Sequence, residues 1–237
     1  MLYTCVGDTH GRKSWKSIVD KNKENNIIFL GDYVDPYRSE KIGELAAIRN
    51  LEAIIEFKKS NDKVTLLIGN HDAQYLFYPN FRTSALSRSK YFDEIIKLFQ
   101  DNKNLFQYAV QKNKYLITHA GVSNGWFNQN LRLFKYFELN DDMSNIGEVL
   151  NKIGRDPKWR IVLGAISFYR GGDDNFGGIT WADKREIEDD YLTGFHQIVG
   201  HNKIKEIIKF GDDISSITFI DCLWNKESKI KSLTLDI

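Results

Sequence analysis

The sequence contains little cysteine and little proline. Only two cysteines and three prolines occur among its 237 residues. This excludes a small fold held together by disulfides, and it excludes a collagen-like chain. Cys5 and Cys222 lie far apart and show no paired spacing. We therefore expect both to be reduced, buried thiols, as in a cytoplasmic protein.

The sequence also lacks an excess of charge of either sign. Its 33 basic and 32 acidic residues give a formal net charge of +1. Domains that bind DNA or RNA usually carry a clear basic excess, so nucleic acid is not indicated as a partner. No run approaches the roughly 18 apolar residues that a membrane-spanning helix needs. Because Met1 leads directly into a short apolar strand, we expect no signal peptide, no membrane partner and a cytoplasmic location.

The first third of the chain contains alternating strand and helix patterns. Short apolar runs at 2–6, 27–30 and 64–68 predict buried strands. Apolar residues at three- and four-residue steps predict an amphipathic helix over 42–55, and a more polar helix is expected over 12–23. Strands that alternate with helices favour a parallel α/β sheet.

The rest of the chain is less regular, and no linker or internal repeat divides it. We therefore expect a single domain over 1–237. The further predicted elements are a helix over 91–101, paired strands over 105–110 and 114–118, broken helices over 124–153, strands near 178–181 and 196–200, and a closing hairpin of 215–221 with 229–236.

Several predicted strands end in small and polar residues. These ends are Val6-Gly7-Asp8, Leu30-Gly31-Asp32, Ile68-Gly69-Asn70, Ile117-Thr118-His119 and Val199-Gly200-His201. Ligands of open α/β sheets bind beyond the carboxyl ends of the strands. We therefore expect the side chains that follow these strands to converge in space, although they lie far apart in the sequence.

The converging side chains are oxygen and nitrogen donors. The candidate metal ligands are Asp8, His10, Asp32, Asn70, His119 and His201. Crowded carboxylates repel one another unless cations neutralise them, so bound divalent ions are expected. Mixed oxygen and nitrogen ligands favour Mn, Fe, Zn or Co over Mg or Ca. His196 lies inside a strand pattern and is expected to be structural.

Taken together, the motifs resemble those of a known family. They are Gly7-Asp8-Thr9-His10-Gly11, Gly31-Asp32-Tyr33-Val34-Asp35, Gly69-Asn70-His71-Asp72, His119-Ala120-Gly121 and Gly200-His201. The series resembles the calcineurin-like metallophosphoesterase superfamily, and within it the phosphoprotein-phosphatase branch, which also holds bacterial diadenosine tetraphosphatases. This resemblance implies a four-layer α-β-β-α sandwich, in which two mixed sheets lie face to face and are flanked by helices.

The resemblance also implies a role for each donor. Two divalent transition-metal ions are implied, with Mn as the first choice and Fe, Zn or Co as alternatives. Asp8 and His10 would hold the first ion, Asp32 would bridge both, and the second would be completed by Asn70, His119 and His201. The implied reaction is hydrolysis of a phosphate ester by a hydroxide that bridges the two ions. Many members of the wider superfamily have a further histidine ligand where this chain has Lys203.

Proton donation and phosphate binding are implied in the same way. His71 would pair with Asp35 and protonate the leaving oxygen, and Asn70 would also contact the phosphate. The arginine that usually grips the phosphate in this branch is replaced here by Pro36. Arg38 and Arg185 are therefore the candidate phosphate-binding arginines, since a guanidinium group suits a phosphate.

The substrate stays open at this point. The first hypothesis is a phosphomonoester on a protein or a small molecule, and the alternative is a dinucleoside polyphosphate or another nucleotide. A metal-binding domain without catalysis is less favoured, because it would not need the His71 and Asp35 pair. Processing of RNA ends is neither excluded nor supported by the balanced charge.

Three further features have two interpretations each. The aromatic segment 75–81 would stack on a nucleobase or a phosphotyrosine ring, or else simply pack within the fold, which is favoured. The glycine-rich loop 170–178 would form a rim of the cleft or a plain surface connection. Asp221 is expected to cap a turn rather than to contact metal.

Overall fold

A computed structural model describes residues 1–80, 89–229 and 231–237. The first of its two sheets consists of β1 (Leu2–Val6), β2 (Asn26–Phe29), β3 (Val64–Leu67), β4 (Phe106–Gln107) and β10 (Ser232–Asp236). The strand order is β10-β1-β2-β3-β4, in which β1 to β4 are parallel and β10 runs antiparallel to β1.

The second sheet consists of β5 (Ala109–Lys112), β6 (Tyr115–Thr118), β7 (His196–Val199), β8 (Ile208–Gly211) and β9 (Ser216–Phe219). Its order is β5-β6-β7-β9-β8. The three central strands, β6, β7 and β9, are parallel, and both edge strands are antiparallel to their neighbours. Both sheets are therefore mixed.

The helices that the structure describes are α1 (Trp15–Lys21), α2 (Glu44–Lys59), α3 (Asn70–Leu76), α4 (Phe92–Asp101), α5 (Asn124–Gln129), α6 (Leu131–Tyr136), α7 (Ile146–Arg155) and α8 (Lys184–Ile187). Short 3-10 helices occupy Arg38–Glu40, Lys103–Leu105, Arg160–Gly164 and Phe168–Arg170. In the part of the chain that the structure describes, no helix has the length and apolar character needed to cross a membrane.

Alternate side chains of each strand pack on opposite sides of its sheet. In the first sheet, Ile28 packs in one apolar cluster with Ile117 and Ile198 of the second sheet. Its neighbour Phe29 points the other way and packs edge-on against Trp15 of α1, with ring centroids 5.5 Å apart. Each such buried side chain contributes roughly 1.5–3 kcal/mol.

The outer face of the second sheet is covered in the same manner. Ile217 and Phe219 of β9 lie in one apolar cluster with Ile187 of α8, while Leu116 of β6 packs in a cluster that includes Val149 of α7. The order is therefore helices, sheet, sheet, helices. This confirms the four-layer α/β architecture that the motifs implied.

One predicted strand and one predicted strand pairing are wrong. Residues 178–181 form a tight turn, because the carbonyl oxygen of Gly178 accepts hydrogen bonds from the amides of Trp181 and Ala182 at 2.8 and 2.9 Å. Residues 215–221 and 229–236 do not form a hairpin with each other: β9 lies inside the second sheet and β10 lies at the edge of the first. Neighbours in sequence usually pair, but β9 is buried throughout and finds parallel and antiparallel partners of its own.

The other early predictions are confirmed with modest changes in their bounds. The predicted strand over 105–110 is divided, because β4 joins the first sheet and β5 joins the second. β5 and β6 form the antiparallel pair that the sequence predicts around Lys112 and Asn113. The broken helical stretch over 124–153 contains α5, α6 and α7.

Candidate metal centre

The six predicted ligands follow strands of both sheets. Asp8 and His10 follow β1, Asp32 follows β2, Asn70 begins α3 after β3, and the strands of the second sheet contribute His119 after β6 and His201 after β7. All six are buried, with at most 8% of each residue exposed. Since the two sheets lie face to face, their carboxyl ends bring these side chains to one edge of the sandwich.

The donors form two groups that share Asp32. Ligand atoms of Asp8, His10 and Asp32 all lie within 4.8 Å of one another, and so do those of Asp32, His119 and His201. Oδ2 of Asp32 lies 3.5 Å from Nε2 of His10 and 3.6 Å from Nε2 of His119. The arrangement therefore offers two adjacent cation positions with one carboxylate between them.

Backbone carbonyls orient two of the histidine rings. Nδ1 of His10 donates to the carbonyl of Val34 at 2.8 Å, and Nδ1 of His119 donates to the carbonyl of Leu30 at 2.7 Å. With the proton held on Nδ1, the lone pair of Nε2 is free for a metal. Both rings are thus set in the tautomer that a metal ligand needs.

Several buried donor atoms fit a cation better than any protein partner. Nε2 of His10 and Nε2 of His201 are buried and have no hydrogen-bond partner among the described residues. Nε2 of His119 lies 3.0 Å from Oδ1 of Asn70 in the amide orientation assigned here. Two acceptor atoms then face each other, which a shared cation would resolve. The residues present therefore fit bound divalent ions.

The pKa shifts within the donor cluster also favour bound cations. Burial, followed by the negative charges of Asp221 and Asp32, raises the pKa of Asp8 well above its usual range. Burial also raises the pKa of Asp32 to about 6. Burial lowers the pKa of His119 to about 4, so this ring is neutral near pH 7. Neutral imidazoles and crowded carboxylates together favour a bound positive charge.

The backbone around the cluster adopts uncommon conformations. Four site residues that are not glycine have positive φ angles: His10 at 41°, Asp32 at 52°, Asp35 at 57° and His201 at 59°. Such conformations cost energy and concentrate at functional sites. The turns that follow the strands are therefore shaped to aim these side chains rather than to minimise backbone strain.

Two glycines leave room for the carboxylates. A Cβ atom at Gly69 would lie 2.1 Å from Oδ1 of Asp32, and one at Gly200 would lie 2.2 Å from Oδ1 of Asp8. Each aspartate therefore packs directly against the backbone of a neighbouring strand end. Any larger residue at either position would displace a donor.

Sequence reasoning quoted Asp72 within a motif but gave it no role. Its carboxylate accepts hydrogen bonds from the amides of Asp32, Tyr33 and Gly69 at 2.6, 3.0 and 2.9 Å. Burial raises the pKa of Asp72 to about 7, with the charge of Asp32 adding to the effect. Asp72 thus joins two strand ends and positions Asp32. Its place in the motif, three residues after Gly69, was the signal that the sequence offered.

His71 lies beside the donors and is paired with Asp35, as the resemblance implied. The amide of His71 donates to Oδ1 of Asp32 at 3.0 Å, and its Nδ1 lies 2.9 Å from Oδ2 of Asp35. Burial lowers the pKa of His71, but the charges of Asp32 and Asp35 and the hydrogen bond to Asp35 outweigh it and raise the pKa to about 9. The ring therefore carries a proton near neutral pH.

In the described part of the chain, no recorded contact directs the guanidinium group of Arg38 or Arg185 toward the donors. The guanidinium group of Arg185 is bound to Asp183, with Nε at 2.8 Å from Oδ1, and its side chain is 62% exposed. Arg38 is exposed on a 3-10 helix. Both stay predictions.

The sequence predicts no role for Arg170. Its Nε lies 2.7 Å from Oδ2 of Asp183, and its Nη2 donates to Oδ1 of Asn202 at 2.5 Å. Burial lowers the pKa of His201, and the positive charge of Arg170 lowers it further. Arg170 therefore lies within electrostatic reach of the second donor group. It opens the glycine-rich loop 170–178, whose composition gave no sign of such a role.

The sequence also makes predictions for His196, for the aromatic segment 75–81 and for Asp221. His196 binds Oγ of Ser216 at 2.8 Å, at the start of β7. Tyr75 is fully buried and its ring stacks on Phe99, and residue 81 lies outside the described residues. Asp221 does not cap a turn: neither carboxylate oxygen has a hydrogen-bond partner in the described part of the chain.

Comparisons with known proteins identify a family and a similar fold. The profile of the family described as calcineurin-like phosphoesterase matches residues 1–205. No curated protein matches the chain significantly. Among solved structures, the cold-active protein-tyrosine phosphatase of a psychrophilic Shewanella species is 15% identical, with a TM-score of 0.51, over 99% of this chain and 75% of its own.

Two further structures are similar. A point mutant of a cold-active protein tyrosine phosphatase is 14% identical, with a TM-score of 0.50, over 99% of this chain and 75% of its own. A protein serine/threonine phosphatase from Saccharomyces cerevisiae is 16% identical, with a TM-score of 0.43, over 92% of this chain and 67% of its own. Likeness at such low identity concerns the fold alone.

The family profile is the stronger finding, because it is a match of the sequence itself over residues 1–205. Its matched range includes all five motifs, from Gly7 to His201, and the structure brings the side chains of those motifs together. The chain therefore belongs to the calcineurin-like phosphoesterase family and is an enzyme that hydrolyses phosphate esters.

Proposed function

We propose that this enzyme is a phosphatase that hydrolyses phosphomonoesters with two divalent cations. The observation that supports this best is the position of Asp32, which belongs to both donor groups and accepts a hydrogen bond from the amide of His71. A donor cluster alone would suit metal storage. A protonated imidazole beside it suits catalysis, because a leaving alkoxide needs a proton.

The two groups of donors, which share Asp32, correspond to the two proposed cations. The first would be held by Asp8, His10 and Asp32, and the second by Asp32, Asn70, His119 and His201. When bound, two such cations activate water as a nucleophile and neutralise charge on the phosphoryl oxygens. Mn²⁺ suits this mixture of carboxylate, amide and imidazole donors, with Fe, Zn and Co as alternatives.

His71 is the proposed general acid. Its Nδ1 is engaged by Asp35, so Nε2 is the atom that would deliver a proton to the leaving oxygen. Asp35 in turn accepts hydrogen bonds from the hydroxyl of Tyr75 at 2.7 Å and from the amide of Gln74 at 3.1 Å. These contacts hold the carboxylate in place, and the carboxylate holds the ring.

The arginine that we propose for phosphate binding is not one of the two that the sequence predicts. We rank Arg170 first among the arginines, because its charge acts on the second donor group and its guanidinium is tethered beside His201 through Asn202. Asn70 is proposed to contact the phosphate as well as the cation. Arg185 and Arg38 remain candidates.

Aromatic stacking by segment 75–81 would have supported the alternative substrate, a dinucleoside polyphosphate. Tyr75 does not support it, since the ring is buried and the hydroxyl serves Asp35. The similarity to a cold-active protein-tyrosine phosphatase supports including phosphotyrosine among the monoesters to be tested.

Two wider expectations fit the same proposal. Both sheets contribute donors to one centre, which supports a single domain over 1–237. Cys5 and Cys222 are buried free thiols, which supports a cytoplasmic protein.

The test is a parallel assay of the chelator-stripped protein after reconstitution with Mn²⁺. The substrates are p-nitrophenyl phosphate, a phosphotyrosine peptide, a phosphoserine peptide and a dinucleoside tetraphosphate, with Asp32→Asn as the control variant. We expect phosphate release from monoesters by the wild type only. Cleavage of the dinucleotide alone would establish the alternative substrate, and two bound Mn²⁺ without any hydrolysis would overturn the catalytic proposal.

A further inference from the structure

Asp221 is a buried carboxylate that the proposed mechanism does not use. It lies two residues after the end of β9, it is 1% exposed, and neither Oδ1 nor Oδ2 has a hydrogen-bond partner among the described residues. A carboxylate buried without partners is costly, so proteins rarely keep one without a reason. The group that explains this buried carboxylate should lie next to it.

The neighbour of Asp221 is the strand end that carries Asp8. A Cβ atom at Gly7 would lie 2.8 Å from the carbonyl oxygen of Ile220 and 3.3 Å from Cα of Asp221. The end of β9 in the second sheet therefore lies against the end of β1 in the first. After burial, Asp221 is the charge that most raises the pKa of Asp8, which agrees with this proximity.

Arg12 and Lys203 lie near enough to act on the charge of Asp221, but neither neutralises it by contact. Arg12 is bound to Glu40, with Nε and Nη2 at 2.6 and 2.5 Å from the carboxylate oxygens, and its Nη1 donates to the carbonyl of Asp8. Nζ of Lys203 lies 3.0 Å from the centre of the Tyr37 ring. In the described part of the chain, no ion pair within 4.0 Å includes Asp221.

We propose that Asp221 is a further carboxylate of the first metal site, where it accepts a hydrogen bond from water that solvates the cation held by Asp8, His10 and Asp32. A solvent-mediated contact is inferred because Asp221 is not a member of either group of donors within 4.8 Å of one another. Such outer carboxylates add charge complementarity and orient the inner shell of a cation. This inference rests on the proposed two-cation centre.

The test compares Asp221→Asn with Asp213→Asn. The first substitution keeps the size of the side chain and removes its charge, while the second does the same at an exposed aspartate before β9. Stripped proteins are titrated with Mn²⁺ and followed by calorimetry. We expect the wild type and Asp213→Asn to bind two ions alike, and Asp221→Asn to bind one of them about 10–100-fold more weakly.

Thermal unfolding separates this role from a merely structural one. Without Mn²⁺, Asp221→Asn should be at least as stable as the wild type, because a buried charge without partners has been removed. With Mn²⁺, the rise in Tm should be smaller in the variant. Unchanged affinities, or an equal loss of Tm with and without Mn²⁺, would overturn the inference alone. A wild type that binds no Mn²⁺ would overturn the two-cation centre and the inference with it.

Discussion

The Nδ1 atom of His71 lies 2.9 Å from Oδ2 of Asp35. The pair is joined to the donor cluster by a separate contact, in which the amide of His71 donates to Asp32 at 3.0 Å. One short segment at the start of α3 thus fixes both a proposed metal bridge and a proposed proton donor. Displacing this segment would disturb both at once, whereas changing the imidazole alone should affect only proton transfer.

We expect His71→Asn to slow hydrolysis of an ester with a poor leaving group by roughly 10²–10⁴-fold, the usual contribution of general acid catalysis. With p-nitrophenyl phosphate the loss should be smaller, because p-nitrophenolate hardly needs a proton. Steady-state rates on an alkyl phosphate and on p-nitrophenyl phosphate give the comparison. Bound Mn²⁺ should stay at the wild-type level.

The matched control is His196→Asn. His196 binds Ser216 at the start of β7, whereas the candidate ligand His201 follows the end of that strand. This variant should retain both rates. Equal losses on good and poor leaving groups in His71→Asn would contradict the role of a general acid.

The pH at which the rate of hydrolysis falls should depend on Asp35. An acid acts in its protonated form, so the rate falls as pH rises through the pKa of His71. Burial lowers that pKa, while Asp32 and Asp35 raise it, to about 9 in total. Asp35→Asn removes one of the raising charges, so the falling limb of the pH–rate profile should move to lower pH. In a His71→Asn background the same substitution should move nothing, and a shift there would refute the coupling.

We expect Arg170→Ala to lower kcat/KM on the order of 10–100-fold, because a charged hydrogen bond is worth about 1.5–3 kcal/mol. Inorganic phosphate should also inhibit this variant more weakly than the wild type. Arg185→Ala provides the comparison, since both arginines bind Asp183. A larger loss in Arg185→Ala would return the role to the arginine that the sequence predicts.

Metal binding should depend on Asp32 more than on any other single donor, because Asp32 belongs to both groups. Asp32→Asn should lower the metal content after reconstitution with Mn²⁺ and abolish hydrolysis. The fold should persist, since the amide oxygen of asparagine can still accept from the amide of His71. Elemental analysis and circular dichroism measure the two effects. Full Mn²⁺ content in Asp32→Asn would contradict the shared position.

Asp72 should matter for the stability of the metal-free protein. Asp72→Ala leaves three buried amides, those of Asp32, Tyr33 and Gly69, without an acceptor. Each such group costs about 1–3 kcal/mol, so the free energy of unfolding should fall on the order of 3 kcal/mol or more. Urea unfolding of the metal-free protein measures this. Asp93→Ala, at an exposed position in the first turn of α4, should change stability by less than about 0.5 kcal/mol.

The candidate donors, and the edge of the sheets at which they meet, could be predicted from the sequence. Buried parallel strands are short apolar runs, and each run here ends in a turn that carries a polar side chain. Because the carboxyl ends of parallel strands point the same way, Asp8, Asp32 and Asn70 had to converge once those strands were recognised. The order of the motifs then indicated His119, His201 and His71.

The sequence also predicted local structure well where a pattern was long and regular, as in α2. It failed where two short strands were adjacent in the chain. The stretches that became β9 and β10 have similar apolar patterns, but one is buried in the centre of a sheet and the other lies at an edge. The choice between partners depends on the surroundings of the whole strand, which a local pattern does not contain.

The surroundings of the donors could not be predicted from the sequence, because they depend on how distant segments pack. Gly7 and Asp221 are neighbours because β1 and β9 belong to different sheets that pack face to face. Arg170 is bound to Asp183 and to Asn202, the neighbour of His201 in the chain, and these two partners come from separate turns. Contacts of this kind depend on how two sheets and their loops are stacked. Their physical origin is side-chain packing between distant segments, so spacing along the chain carries almost no trace of them.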